Sequence, residues 1–114
     1  MTLNTHELAW SAGFLDGEGS WIAAKGDKRY PGLYARILVN QVDRRVLDRL
    51  QAALGMGTIG GPYTARNNGI SKQPFFVYRL CGFEKVQAAT AMLWKFLSPI
   101  KQAQARKTLL AVKK

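Results

Sequence analysis

Ser11-Ala12-Gly13-Phe14-Leu15-Asp16-Gly17-Glu18-Gly19 puts small residues inside a helix and an isolated acid just past its end. A hydrophobic core asks for neither. The preceding residues, Thr5 to Leu15, read as an amphipathic helix, and the helix is expected over about residues 5–16. Asn4 or Thr5 can cap its start, and Glu7 follows Asn4 at the spacing of a capping box. Ala9, Ala12 and Gly13 fall at i, i+3 and i+4, which places them on one side. Glycine inside a helix costs about 1 kcal/mol against alanine, so Gly13 needs a reason, and close approach of another backbone is the usual one. Gly17 and Gly19 bracket Glu18 where the helix must stop and the chain turn into a strand. A carboxylate there has little side-chain cover. It reads either as a solvated turn acid or as a metal ligand, and the flanking glycines favour the ligand.

Outward from this stretch, Ser20 to Lys25 reads as a strand, and Gly26 to Gly32 as a turn. Leu33 to Gln41 alternates as a second strand. Ala35, Ile37 and Val39 make its core face, and Tyr34, Arg36, Leu38 and Asn40 its polar face. Asp43 caps a helix to about Leu54, ended by Gly55 and Gly57. Thr58 to about Arg66 is a third strand, Asn67-Asn68-Gly69 a hairpin turn, and Gln73 to Cys81 a fourth strand. Phe83 opens a helix to about Leu97, Pro99 breaks it, and Lys101 to Val112 forms the last helix. One motif copy is present, and no internal repeat. The expected architecture is α+β, a single domain over residues 1–114.

The 114 residues carry 17 Lys and Arg against 7 Asp and Glu, a formal net charge of +10. The sequence pI of about 10.2 is the electrostatic footprint of a nucleic-acid binder. A basic structural protein, such as a ribosomal component, has the same footprint. No apolar run approaches the length of a membrane span, and the first residues lack the form of a signal peptide, so no membrane partner is expected. An intracellular, reducing location follows, with a prokaryotic cytoplasm and an organelle both fitting. His6 and Cys81 are the only residues of their types. Ser-His, Cys-His and zinc-histidine chemistries are therefore poorly supported, and carboxylate, lysine and metal would have to carry any catalysis. Cys81 reads as a small core hydrophobe, and Trp10, Trp21 and Trp94 as core or interface residues.

Residues 11–19 resemble the LAGLIDADG motif of the homing endonucleases. Ala12-Gly13 matches its AG, Phe14-Leu15 its apolar pair, Asp16 its first acid, Glu18 its second and Gly19 its closing glycine. Ser11 stands in place of the leading leucine and Glu18 in place of the commoner aspartate. The order of elements matches that domain over nearly the full chain. The resemblance implies an αββαββα fold with C-terminal helices and a curved four-stranded antiparallel sheet along the major groove, the groove in which all four base pairs look different. It implies a site-specific double-strand DNA endonuclease active in intron homing. Single-motif members are homodimers that join through the small residues of two motif helices, here Ala9, Ala12 and Gly13, and act on near-palindromic DNA. RNA maturases and cleavage-deficient DNA-binding proteins share the fold and form the alternative reading, with RNA as a partner in the first case.

By the same resemblance Glu18 is the metal-binding carboxylate and Gly17 offers its carbonyl. Magnesium is the expected cofactor. Manganese or calcium can occupy the site, calcium without catalysis. Gln41 matches a position near the attacking water, though a strand-end amide fits it equally. Lys101 matches the active-site lysine after the third helix, and reads otherwise as one more surface lysine. Asp16 reads as structural. Strand alternation selects Ile22, Ala24, Tyr34, Arg36, Leu38, Arg66 and Arg79 for the DNA-facing surface. Lys25, Lys28, Arg29 and Lys72 are the candidates for phosphate contacts, which position a protein without reading sequence.

Overall fold

Short polar side chains start the first two helices. Asn4 Oδ1 accepts the Glu7 N–H at 3.2 Å and opens helix α1, Thr5–Glu18. The capping box is only half formed, because the Glu7 carboxylate turns away to pair with Arg49 at 2.7 Å. That hydrogen bond holds the Glu7 carboxyl below the usual carboxylate range. Asp43 accepts the Arg45 N–H at 2.9 Å and opens α2, Arg44–Leu54. Gly55 closes α2 in the left-handed conformation that glycine adopts without steric cost. The structure, a computed structural model, describes residues 4–26, 28–29, 31–64, 66–67, 70–71 and 73–112, with backbone alone at 66–67 and 70–71.

The strands are β1 (Ser20–Lys25), β2 (Leu33–Gln41), β3 (Thr58–Tyr63), β4 (Arg66–Asn67), β5 (Ile70–Ser71) and β6 (Phe75–Cys81). Strands β1, β2, β6 and β3 form one sheet in that order, antiparallel throughout. β1 and β2 have the bounds expected from the sequence. β3 stops at Tyr63, short of Arg66, and the last strand begins at Phe75 instead of Gln73. Between them Arg66–Asn67 and Ile70–Ser71 form the small β4–β5 ladder. Around Gly61-Pro62 the pairing of β3 with β6 shifts register, where proline has no N–H to give a ladder.

Helices α3 (Phe83–Leu93) and α4 (Pro99–Val112) are joined by a 3-10 turn over Trp94–Phe96. α3 is thus shorter than the sequence suggests. Pro99 does more than break a helix, for it is the first residue of α4, where the missing N–H costs nothing. Ser98 Oγ caps α4 by accepting the Lys101 N–H at 3.2 Å.

All four helices pack against strands of this sheet. Strand alternation sends Trp21, Ala35, Ile37, Val39, Tyr78 and Leu80 to one face, where all are buried. They meet Leu8, Ala12 and Leu15 of α1, Leu47, Leu50 and Leu54 of α2, and Val86, Ala89 and Leu93 of α3. Two buried polar groups are satisfied across elements. The Trp21 indole N–H donates to Thr90 Oγ1 at 2.9 Å, and the Tyr78 hydroxyl to the Met56 carbonyl at 2.9 Å. Burial pushes the Tyr78 phenol well above its ordinary pKa. Gly57 makes room for that ring, since a Cβ there would lie 2.4 Å from the Tyr78 hydroxyl, and its φ of +102° suits glycine alone. Cys81 corrects the sequence reading. It is exposed at the end of β6, because alternation from buried Leu80 turns it to the opposite face.

Among the tryptophans, Trp21 is buried and the others are half-buried. Trp10 stacks on Phe14 with centroids 5.4 Å apart, and the Arg49 guanidinium covers it at 3.9 Å. No helix among the described residues is long and apolar enough to cross a membrane.

Candidate active site and nucleic-acid interface

The motif helix ends where its sequence forbids a side chain. The Gly19 N–H closes the helix on the Leu15 carbonyl at 2.9 Å. A Cβ on Gly19 would lie 2.5 Å from Leu15 Cδ2 and 3.2 Å from Leu15 Cα. Leu15 is fully buried, so it has little room to yield. Glu18 is thereby the last helical residue, and not one residue beyond the helix. Its side chain is exposed and has no hydrogen bond or ion pair to the described residues. The Gly17 carbonyl belongs to the final turn, where the carbonyls beyond that of Leu15 lack intrahelical donors and carry partial negative charge. No basic side chain occupies that turn. An unpaired carboxylate beside orphan carbonyls is an all-oxygen donor set, which suits a hard divalent cation. No group of three His, Cys, Asp or Glu side chains gathers anywhere among the described residues, so this chain brings one acidic side chain to such a site.

Two long-range contacts build the surroundings of Glu18. The Asp16 carboxylate accepts the Ser98 N–H, at 3.2 Å from each oxygen, and the Ser98 hydroxyl at 3.0 Å. Asp16 is thus occupied in tying α1 to the start of α4, as a structural reading requires. α4 in turn carries Lys101, whose Nζ donates to the Gly19 carbonyl at 2.5 Å and to Gln104 Oε1 at 3.2 Å. Gln104 Oε1 also accepts the Trp21 N–H of edge strand β1 at 3.0 Å. This network fixes a half-buried ammonium one residue beyond Glu18. Gln41 ends β2 three residues past Leu38, which pairs with Ser20, so it lies at the same end of the β1–β2 ladder as Glu18.

The register places the expected surface residues together. Ile22, Arg36 and Cys81 form one cross-strand row, and Leu38, Arg79 and Thr58 another with Ser20, while Ala24 faces Tyr34. Directly paired residues share a face, so all of these lie opposite the helix-packed side. Ile22, Ala24, Tyr34, Arg36, Leu38 and Arg79 are half-buried there. Lys25 has the other parity but is exposed at the strand end, and Lys28 and Arg29 are exposed in the hairpin that follows. The Arg66 side chain and Lys72 lie outside the described residues. No strand contains Asp or Glu, whereas the strands carry Lys25, Arg36, Arg66 and Arg79. Three ion pairs lie on α1, on α2 and at the α2 cap, joining Arg44 to Asp48, Arg45 to Asp43 and Arg49 to Glu7. Positive charge on the open face is therefore uncompensated by acids of the sheet.

The expected helix contact needs one correction. Ala9 and Gly13 are exposed, but Ala12 is fully buried. Leu8 and Leu15, one turn to either side, face the core and take Ala12 with them. The exposed side of α1 is Ala9, Gly13 and Gly17, and a Cβ added at either glycine meets nothing within 4 Å. Sequence reasoning also missed Tyr63, which reaches Arg79 across the open face, with Nη1 3.5 Å from the phenol oxygen. The only local signal was Gly60-Gly61-Pro62, which marks an irregular strand without saying what it aims.

No protein-family model matches the chain, and no curated protein does. Solved structures do. The homing endonuclease I-CvuI in complex with its target in the presence of calcium superposes with a TM-score of 0.74 at 26% identity, over 96% of this chain and 69% of that one. The intron-encoded homing endonuclease I-CeuI complexed with DNA gives a TM-score of 0.68 at 16% identity, over 95% of this chain and 54% of that one. The LAGLIDADG meganuclease I-AabMI bound to uncleaved DNA gives 0.67 at 21% identity, over 92% and 36%. The last two speak for the fold, and I-CvuI for more. With its motif at the end of α1, this sheet order and that likeness over nearly its full length, the chain is similar to the LAGLIDADG homing endonucleases and has their fold.

Proposed function

We propose that this chain is a site-specific DNA endonuclease of one domain, acting as a homodimer with a divalent metal ion on a near-palindromic duplex. One observation carries the reading. Unpaired Glu18 is followed directly by Gly19, whose carbonyl anchors Lys101, and the strands that lead from it bear arginines and no acid. Glu18 and the Gly17 carbonyl would hold the metal, with magnesium the expected ion and calcium a non-catalytic substitute. When bound, such an ion stabilises charge on a phosphodiester and makes a water more acidic. The chain's own residues do the remaining work. Lys101 keeps its ammonium in place through Gly19 and Gln104 and has a further N–H to offer a phosphate oxygen. Gln41 would orient solvent, and Arg36 and Arg79 would read bases. The similar structures described above support this reading, being homing endonucleases with DNA, one of them crystallised with calcium.

The dimer follows from the exposed side of α1. Ala9, Gly13 and Gly17 recur every four residues and leave open space around the backbone. A second copy of this helix fits such a surface, and two copies would bring two Glu18 carboxylates together. Each subunit would then cut one strand, and protein symmetry would be mirrored in the DNA. The test is sedimentation of wild type and Gly13→Leu, together with cleavage of duplex DNA with and without magnesium. A Cβ at exposed position 13 meets nothing within 4 Å in its own protomer, and the change removes a helix-interior glycine, so the variant should be at least as stable, yet monomeric and inactive. A dimeric, active variant would overturn the helix contact. A protein that retains RNA selectively and cuts no DNA would overturn the endonuclease reading.

A further inference from the structure

We propose that Tyr63 is a positioning residue for sequence recognition, holding Arg79 in the conformation that reads one base pair of each half-site. This rests on the endonuclease reading above for the nature of the ligand. Between Gly60, paired with Val77, and Tyr63, paired with Phe75, β3 has one residue more than β6. Such a bulge re-aims the side chains beyond it. In a regular strand Pro62 would stand opposite Phe75. The extra residue brings Tyr63 there instead, onto the face that carries Phe75, Val77 and Arg79.

From that place Tyr63 lies back along the sheet. Its ring packs against Phe75, with centroids 5.9 Å apart. Its hydroxyl passes over Gly60 to Arg79, whose Nη1 is 3.5 Å from the phenol oxygen and whose guanidinium carbon is 5.6 Å from the ring centroid. Gly60 makes this path possible. A Cβ there would lie 2.4 Å from the Tyr63 hydroxyl and 3.3 Å from Arg79 Nη1. Arg79 makes no other hydrogen bond or ion pair to the described residues. Tyr63 thus engages one edge of the guanidinium and restricts its swing, while the remaining N–H groups of its five stay available. A forked pair of donors at fixed angle matches the O6 and N7 acceptors of guanine in the major groove. A free arginine could swing to a phosphate instead, which carries no sequence information.

The test is binding selection from a randomised duplex library in calcium, comparing wild type with Arg79→Ala, Tyr63→Phe and Gly60→Ala. Wild type should select a guanine at one symmetric pair of positions. Arg79→Ala should lower the preference there about tenfold or more. Tyr63→Phe loses the phenol oxygen and should lower it about two- to tenfold. Gly60→Ala should do the same by displacing the phenol, the free end of a surface side chain, so the variant still folds. All other positions should keep their preferences, whereas a merely structural role would weaken binding to every sequence alike. Unchanged selectivity in Tyr63→Phe and Gly60→Ala, with wild type still selective, would overturn this proposal alone. Failure of wild type to select any duplex would overturn it together with the endonuclease reading.

Discussion

Replacing Asp16 with alanine separates the two acids of the motif. In the structure the Asp16 carboxylate takes the Ser98 N–H at 3.2 Å from each oxygen and the Ser98 hydroxyl at 3.0 Å. Counting the shared N–H once, two hydrogen bonds to a charged group are lost. At about 1.5 kcal/mol each, the low end for a charged acceptor, the gross loss is about 3 kcal/mol. The site is part-buried, so entering water returns some of this, leaving a net cost of about 2 kcal/mol. In a chain of this size that lowers the melting temperature by about 8 °C. Asp16→Asn keeps one acceptor oxygen and should lose about half as much. Glu18→Gln, at an exposed and unpaired side chain, should melt within about 2 °C of the parent. Thermal unfolding followed by far-ultraviolet circular dichroism reads all three variants. The reasoning fails if Asp16→Ala melts within about 2 °C of the parent. Ser98 also caps Lys101, so Asp16→Ala should in addition loosen the lysine and slow any cleavage.

Two further substitutions test the packing of the motif helix. Gly19→Ala drives a methyl group against buried Leu15 and should cost about 1–3 kcal/mol as an overpacking change, read by urea unfolding. Parental stability there would mean that the helix end gives way freely. Ser11→Ala should act in the opposite direction. The Ser11 hydroxyl is fully buried and has no hydrogen-bond partner among the described residues, so its removal should raise stability by about 1 kcal/mol in the same assay. A loss of stability would show that the hydroxyl has a partner in solution.

Local patterns revealed the frame of this fold, and non-local pairing hid its details. The first two strands could be bounded to the residue because turn signals flank them and Ala35, Ile37 and Val39 alternate with polar neighbours. The helix caps, Asn4 or Thr5 for the first helix and Asp43 for the second, were readable because capping is settled within three residues. β3 was misjudged because its end depends on register with β6, which no local pattern carries. Tyr63 was missed for the same reason, since the bulge that turns it to Arg79 is defined only by the partner strand. Ala12 was grouped with Ala9 and Gly13 by spacing, yet i+3 and i+4 fall on opposite sides of position i around a helix. Core contacts decided that Ala12 turns inward. Cys81 was an avoidable error, for the alternation that buries Leu80 already turns Cys81 away. Glu18, Gln41 and Lys101 could be named from the sequence through resemblance alone. That Gly19 and Gln104 anchor Lys101 was not legible, because those contacts join residues far apart along the chain.

The proposal that Glu18 is the metal-binding carboxylate of a dimeric DNA endonuclease is tested most directly by cleavage of a randomised duplex library, with and without magnesium, by wild type and Glu18→Gln. The account predicts magnesium-dependent cuts at one near-palindromic sequence by wild type, and none by a variant that still binds that sequence. Cleavage by Glu18→Gln at the wild-type rate, or no cleavage of any duplex by wild type, would contradict it.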